Sequence, residues 1–168
     1  WAGQYLDMQS GWHFMTSSGQ GAMGSGLPMA IGAQLAHPES LVVCLAGDGS
    51  LRFSEAELET VQEYDIPVKI LVVNNDGYGI VRMWNHRFYE GRETGVVKRR
   101  KDWCMLARSN GFDADRVDRV TAPAELEAVL QRAVSHRHPH FIELMTPYEE
   151  CLPIMPPGKS FHDIILDL

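Results

Sequence analysis

The sequence predicts a three-layer α/β/α domain built on a parallel sheet, and three observations carry that expectation. Short apolar runs alternate with helix-patterned segments along the chain, the order expected of repeated βα units. Two of these runs, residues 41–46 (LVVCLA) and 68–74 (VKILVVN), are almost wholly β-branched or apolar, as strands covered on both faces should be. Both end in polar, glycine-rich clusters, where an open α/β sheet gathers its ligands beyond the carboxyl ends of its strands.

Five strand candidates follow from the pattern: 13–17 (HFMTS), 41–46, 68–74, 115–119 and 140–145 (HFIELM). A helix over 27–36 follows a glycine-rich turn. A second, over 55–64, is expected to start at Ser54, where Ser54-x-x-Glu57 has the form of a capping box. A third, over 122–135, places Leu126, Val129, Leu130, Ala133 and Val134 on one face, with Thr121 and Pro123 suited to its start. Pro153, Pro156, Pro157 and Gly158 mark an extended tail.

With 168 residues the chain accommodates one domain with a proper core. Its 45% hydrophobic and 22% charged content is that of a folded globule, which excludes disorder as the default. The net charge of −7 argues against nucleic acid as the main partner, because phosphate backbones require clustered cations. The one basic run, Lys98, Arg99, Arg100 and Lys101, is expected in a solvated loop, with contact to an anionic cofactor or another domain as the second reading. Cys44, Cys104 and Cys151 are odd in number and far apart, which suits reduced thiols in a cytosol-like compartment rather than disulfides or zinc. No apolar run approaches the roughly 18 residues of a membrane span. His136, His138 and His140, around Pro139, are expected at a loop and strand edge rather than on a metal. Because the chain opens on Trp1, all of residues 1–168 are expected to form one domain of a longer subunit.

Gly19-Gln20-Gly21-Ala22-Met23-Gly24 is literally G-x-G-x-x-G, lying after a strand candidate and before a helix. A nicotinamide or flavin fold is therefore the first reading to weigh. Asp48 weakens it, since an acid between Gly47 and Gly49 suits close approach of backbone and carboxylate to phosphate and metal better than a ribose hydroxyl. A second polar cluster, Asn74-Asn75-Asp76-Gly77, is not something a dinucleotide fold requires.

If strands 41–46 and 68–74 lie close together, Asp48 and Asn75 share one rim. Magnesium takes six oxygens in near-octahedral array and keeps phosphate oxygens and water among them. Asp48 would supply a carboxylate oxygen, Asn75 an amide oxygen and Gly77 a backbone carbonyl. Glycines at 47 and 49 would let bare N–H groups approach a diphosphate, with Ser50 beside them. Each cluster alone is an ordinary turn. Together, with 24 residues between Gly49 and Asn74, they point to one metal–diphosphate site.

Gly-Asp-Gly, a helix and strand of this length, then Asn-Asn, resembles the signature of thiamine-diphosphate enzymes. The resemblance extends through Trp1-Ala2-Gly3-Gln4, Ser18 to Pro28, and Ala56-Glu57-Leu58-Glu59-Thr60, all similar to the large subunit of acetolactate synthases. Met83-Trp84-Asn85-His86-Arg87-Phe88-Tyr89 and the tail Leu152-Pro153-Ile154-Met155-Pro156-Pro157-Gly158 are the parts most particular to that family.

The resemblance implies Asp48, Asn75 and the Gly77 carbonyl as magnesium ligands. It implies Gly47, Gly49, Ser50, Gly79 and Ile80 as contacts of thiamine diphosphate. Met23 matches the residue wedged beneath the bent cofactor, and the Gly21 carbonyl matches the acceptor for its aminopyrimidine amino group. That bend sets the amino group beside the thiazolium C2. Trp84 matches the tryptophan that lines the pocket of a second 2-oxoacid and favours an ethyl-bearing acceptor.

In the full enzyme the resemblance implies decarboxylation of pyruvate and transfer of the two-carbon unit to a second 2-oxoacid, giving acetolactate or acetohydroxybutyrate. Another thiamine-diphosphate-dependent decarboxylase or acetyltransferase is the alternative. No catalytic residue is assignable within the chain; the glutamate that activates the cofactor is expected from another domain across a subunit interface. FAD would be held mainly by a middle domain. Implied partners are the remaining domains of the subunit, a further copy in a homodimer or larger homo-oligomer, and a regulatory subunit, in the cytoplasm or a eukaryotic plastid. The family sheet has a strand before the position of Trp1, so the exposed side of this sheet is expected to be covered by another copy or by preceding chain. Two departures bear on substrate: Met83 stands where the family usually has glutamine, and residues 90–97 do not follow the usual continuation.

Overall fold

A computed structural model describes residues 1–166 of the chain. Four parallel strands form its sheet: β1 (Val43–Gly47), β2 (Lys69–Asn74), β3 (Val117–Val120) and β4 (His140–Met145), in the order β1-β2-β4-β3. Among the described residues seven α-helices accompany them: α1 (Ala2–Tyr5), α2 (Gly26–Ala36), α3 (Asp48–Leu51), α4 (Glu57–Glu63), α5 (Gly79–Phe88), α6 (Trp103–Ser109) and α7 (Pro123–Val134). The expected parallel α/β/α class is therefore the fold.

Pleating sends alternate side chains of each strand to opposite faces. On one face Cys44, Ala46, Ile70, Val72, Phe141 and Val117 meet Leu27 and Ile31 of α2, Leu58 and Val61 of α4, and Trp103 and Ala107 of α6 in one core cluster. On the other, Val120 and Ile142, with Leu71 and Leu144 beside them, pack on Val129 and Ala133 of α7. That second layer does not reach β1, whose Val43 and Leu45 stay exposed. β1 and β3 are the two edges of the sheet.

Two expectations need correction. Residues 13–17 form no strand; His13, Phe14, Met15 and Thr16 are exposed and pair with no ladder. Alternation in so short a run cannot by itself supply a neighbouring strand, and a lone strand leaves its backbone groups without partners. The capping box at Ser54 does not form either. Residues 48–63 run in almost continuous helical turns, so Ser54 lies mid-turn, its N–H donating to Leu51 O and its Oγ buried without a partner. Glu57 instead accepts from Thr60 Oγ1 at 3.1 Å. Upstream of it, Asp48, Gly49, Ser50 and Leu51 are themselves a helical turn.

At the start of α7 the expected proline is in place, but Ala122 rather than Thr121 is the N-cap. Pro123 opens the helix, and Glu125 Oε2 reaches back to accept from the backbone N–H groups of Thr121 (2.9 Å) and Ala122 (3.0 Å).

The three histidines are held by one another and by carboxylates. His140, fully buried, has Nε2 2.7 Å from Asp118 Oδ2 and Nδ1 3.2 Å from His136 Nε2. His138 lies 2.9 Å from Asp65. Beside them the buried Lys69 ammonium donates to the carbonyls of His136 (2.8 Å) and His138 (2.5 Å), and burial lowers its pKa to about 8. This polar cluster sits at the amino-terminal end of the sheet, opposite the glycine-rich rim. All three cysteines are free. Burial pushes the Cys44 thiol up to about 11, and burial together with Glu143 pushes Cys104 up to about 12, so both stay protonated at neutral pH.

Candidate diphosphate and metal site

β1 and β2 are direct neighbours, with Gly47 in register with Val73. Asp48 and Asn75, each one residue past the end of its strand, therefore stand side by side on one rim. The Asn75 side-chain oxygen lies 3.0 Å from the Gly77 carbonyl oxygen and 3.3 Å from Asp48 Oδ1. Turning the amide over would place its NH2 as a donor to both.

With the amide oxygen turned toward them, three oxygens converge at this point. That crowding is unfavourable for acceptors alone and is relieved either by a cation among them or by rotation of the amide. Asp48 strengthens the case: the residue is 1% exposed, and its Oδ2 is buried without a hydrogen-bond partner. Burial pushes its carboxyl up, while the nearby N–H groups of Asn75, Gly49 and Gly77 and the Arg52 charge oppose the shift. A carboxylate, an amide oxygen and a backbone carbonyl are hard oxygen donors of the kind magnesium takes. The residues present fit such an ion.

Close packing fixes the turns that follow β1 and β2. A Cβ at Gly49 would overlap the Tyr78 ring and come within 3.3 Å of the Gly77 carbonyl oxygen, and one at Gly77 would lie 2.7 Å from Val96 O. Gly47 is different: it is exposed, its φ of −70° suits any residue, and a Cβ there would meet nothing within 4 Å. Its bareness is not demanded by the chain's own packing, which leaves room for a ligand to lie against the backbone.

The first glycine turn joins this rim through one bond, from Gly24 N to Ser50 Oγ at 2.9 Å. Gly21, in the left-handed conformation at φ 62°, and Met23 lie on that turn and are both exposed. Gly79 and Ile80 begin α5, Gly79 packed against the Asn75 amide and Ile80 exposed. On the next turn Trp84 is half-buried and meets Phe88 edge-on, with ring centroids 5.3 Å apart. Met83 is buried.

Two features escaped the sequence reading. Residues 96–98, within or beside the stretch that departs from the family pattern, form a strap antiparallel to the turn at Asp76–Tyr78. Tyr78 N donates to Val96 O and Lys98 N donates to Asp76 O, each at 2.9 Å, with Gly77 bridged to Val97. Glu93 ties the same segment to α5 through Arg82 Nε (2.5 Å) and His86 Nε2 (2.6 Å). The basic run is correspondingly anchored: Lys98 lies over the Tyr78 ring, Lys101 pairs with Glu55, and Arg52 donates to Arg99 O at 3.2 Å. The second missed feature is the buried pair Asn74 and Glu143 behind the rim. Its available signal was a lone carboxylate in the otherwise apolar run HFIELM, since a charge in a covered strand demands a partner.

A parallel α/β sheet with glycine turns at its carboxyl rim is the arrangement in which open α/β domains gather phosphate-bearing ligands. Residues 1–144 match the family described as "Thiamine pyrophosphate enzyme, C-terminal TPP binding domain", and the chain belongs to that family. It is 38% identical over 163 residues to the acetolactate synthase large subunit of Cyanidium caldarium, covering 95% of this chain and 27% of that protein. It is 40% identical to the acetolactate synthase large subunit of Parasynechococcus marenigrum (strain WH8102), covering 95% of this chain and 26% of the relative. Among solved structures, a thiamine diphosphate-dependent 4-hydroxybenzoylformate decarboxylase from Rhodococcus jostii RHA1 superposes with a TM-score of 0.71 at 33% identity, over 78% of this chain and 24% of that one. The chain spans about a quarter of the length of the curated relatives it matches. No helix among the described residues is long and apolar enough to cross a membrane.

Proposed function

We propose that this chain holds Mg2+ and thiamine diphosphate at the β1–β2 rim, and that it does so as the C-terminal domain of an acetolactate synthase catalytic subunit. The observation that carries the reading is the convergence of the Asp48 carboxylate, the Asn75 side-chain amide and the Gly77 carbonyl on one rim, with Asp48 Oδ2 buried and without a hydrogen-bond partner. Three protein oxygens on one side leave the rest of an octahedron to diphosphate oxygens and water. Gly47 keeps the rim bare, Gly49 lets the Tyr78 ring pack against the turn, and Ser50 holds the Gly19–Gly24 turn, with Gly21 and Met23, against it.

Bound thiamine diphosphate supplies an electron sink that allows a carbon–carbon bond beside a carbonyl to be broken and remade. The residues of this chain bind and orient it; the activating glutamate comes from another domain. In the complete subunit the reaction is decarboxylation of pyruvate and transfer of the two-carbon unit to pyruvate or 2-oxobutyrate. Trp84 lines the acceptor pocket. The remaining domains, a second copy, a regulatory subunit and FAD complete the assembly, in the cytoplasm or a plastid.

Assay of the complete subunit with pyruvate alone, then with pyruvate and 2-oxobutyrate in competition, tests the reading. Acetolactate and acetohydroxybutyrate formed in a Mg2+- and thiamine diphosphate-dependent manner support it. Release of CO2 and acetaldehyde without either product would assign the subunit to a decarboxylase instead.

A further inference from the structure

Behind the rim, a buried polar relay runs from the ligand turn to the surface. Asn74, the last residue of β2, and Glu143, in β4, are each 1% exposed. Both project to the face covered by α6, because Val72 is in register with Glu143 and Asn74 with Met145. Asn74 Nδ2 donates to Glu143 Oε1 at 2.7 Å, while Asn74 Oδ1 accepts the backbone N–H of Asp76 at 3.0 Å. The other oxygen of Glu143 accepts from Arg119 Nε at 2.7 Å, and Arg119 also donates to Asp102 Oδ1 at 2.6 Å.

From this geometry we infer that Glu143 is a positioning residue for the cation site, acting through Asn74. The inference rests on the reading of Asp48, Asn75 and Gly77 as cation ligands. An amide is nearly symmetric in shape, so its orientation is set by what its two ends meet. A carboxylate paired with Arg119 only accepts, so it takes the NH2 end of Asn74 and turns the oxygen end toward Asp76 N. That bond closes the turn Asn74–Asn75–Asp76, in which Asp76 holds the left-handed conformation at φ 58°. Two of the three ligand oxygens, on Asn75 and Gly77, flank Asp76. Turned the other way, the amide would present its NH2 to the N–H of Asp76, and the turn would lose its closing bond. The buried carboxylate therefore selects the one amide orientation that aims both oxygens at the rim.

A polarity swap in the complete enzyme tests this. Asn74→Asp sets two carboxylates against each other and removes the donor. The double variant Asn74→Asp/Glu143→Gln restores a donor and an acceptor in the reverse sense: the new amide at 143 donates to the new carboxylate at 74, whose free oxygen still accepts Asp76 N–H. The readout is the Mg2+ concentration that half-saturates binding of thiamine diphosphate, followed by tryptophan fluorescence or equilibrium dialysis without substrate. Asn74→Asp is expected to raise it about 10–100-fold, the usual cost of losing an outer-shell partner. The double variant is expected to return to within about threefold of the parent, a recovery that a lost packing contact would not show.

Asp48→Asn is the control. If it leaves the Mg2+ dependence untouched, the cation-site reading itself fails. If it abolishes the dependence while Asn74→Asp changes nothing, that reading stands and the role of Glu143 is overturned. Should Asn74→Asp fail to fold, the double variant decides alone: folded with near-parental half-saturation supports the inference, and unfolded or still weak overturns it.

Discussion

Asp48 Oδ1 and the side-chain oxygen of Asn75 face each other across 3.3 Å, from adjacent strand ends, with the Gly77 carbonyl 3.0 Å from the same amide oxygen. Without an ion the crowding is relieved by turning the amide over, so that its NH2 donates to both oxygens; with one, the three oxygens form a partial coordination shell. The Asn75 amide should consequently reorient with metal. Its side-chain NH2 resonances should shift on addition of Mg2+, and an amide unresponsive to saturating Mg2+ would argue that no ion enters between these residues.

Asp48→Asn separates binding from folding. Burial pushes the Asp48 carboxyl up, so its charge costs the ion-free fold at every pH where it is ionised. Removing that charge should leave thermal stability without metal unchanged or higher. Mg2+ affinity should fall by more than about 100-fold, exceeding the loss typical of outer-shell changes. Parallel melting curves and Mg2+ titrations distinguish this from a general folding defect, in which both would decline.

Gly47 and Gly49 should respond differently to the same added methyl. Gly49→Ala meets the Tyr78 ring and should cost about 1–3 kcal/mol of stability through overpacking. Gly47→Ala meets nothing in the chain, so stability should hold while thiamine diphosphate binding weakens, because the methyl stands where a ligand approaches the backbone. Chemical unfolding and cofactor titration of the two variants check the contrast; equal stability losses would refute it.

Trp84→Leu, in the complete enzyme, should lower the preference for 2-oxobutyrate over pyruvate by about 1–3 kcal/mol, the range a hydrophobic pocket commands for one methylene. Cofactor affinity should be spared. The ratio of acetohydroxybutyrate to acetolactate measures the effect. An unchanged ratio would reduce Trp84 to its packing against Phe88.

Acid should destabilise the fold from the far end of the sheet. Burial is the largest influence on both His136 and His140 and holds them below the ordinary 6.5, although Asp118 opposes this at His140. The unfolded chain then binds protons that the folded chain refuses, so this contribution is intact above about pH 6.5 and is lost as pH falls below it. Urea midpoints between pH 7.5 and 5.5 should show the decline, and His140→Gln should flatten it. An unaltered slope in that variant would exclude His140 as a source.

The apolar runs of β1 and β2, and the polar clusters at their ends, were legible from residue type alone, because a covered strand excludes polar side chains and a ligand rim requires them. So was the proline start of α7, because Pro123 acts within a single turn of chain, although the Glu125 cap was not read. The sequence by itself thus determined the fold class, the candidate ligands Asp48, Asn75 and Gly77, and the family resemblance. Only the tertiary structure decided that residues 13–17 form no strand, that residues 96–98 strap the turn at Asp76–Tyr78, and that Glu143 orients Asn74. Each depends on which segment becomes a neighbour: Asn74 meets a residue 69 positions away because β4 lies beside β2, with β3 outside it. Local pattern encodes which face a side chain takes and how a turn closes; it does not encode strand order, and strand order decides which buried polar groups find one another.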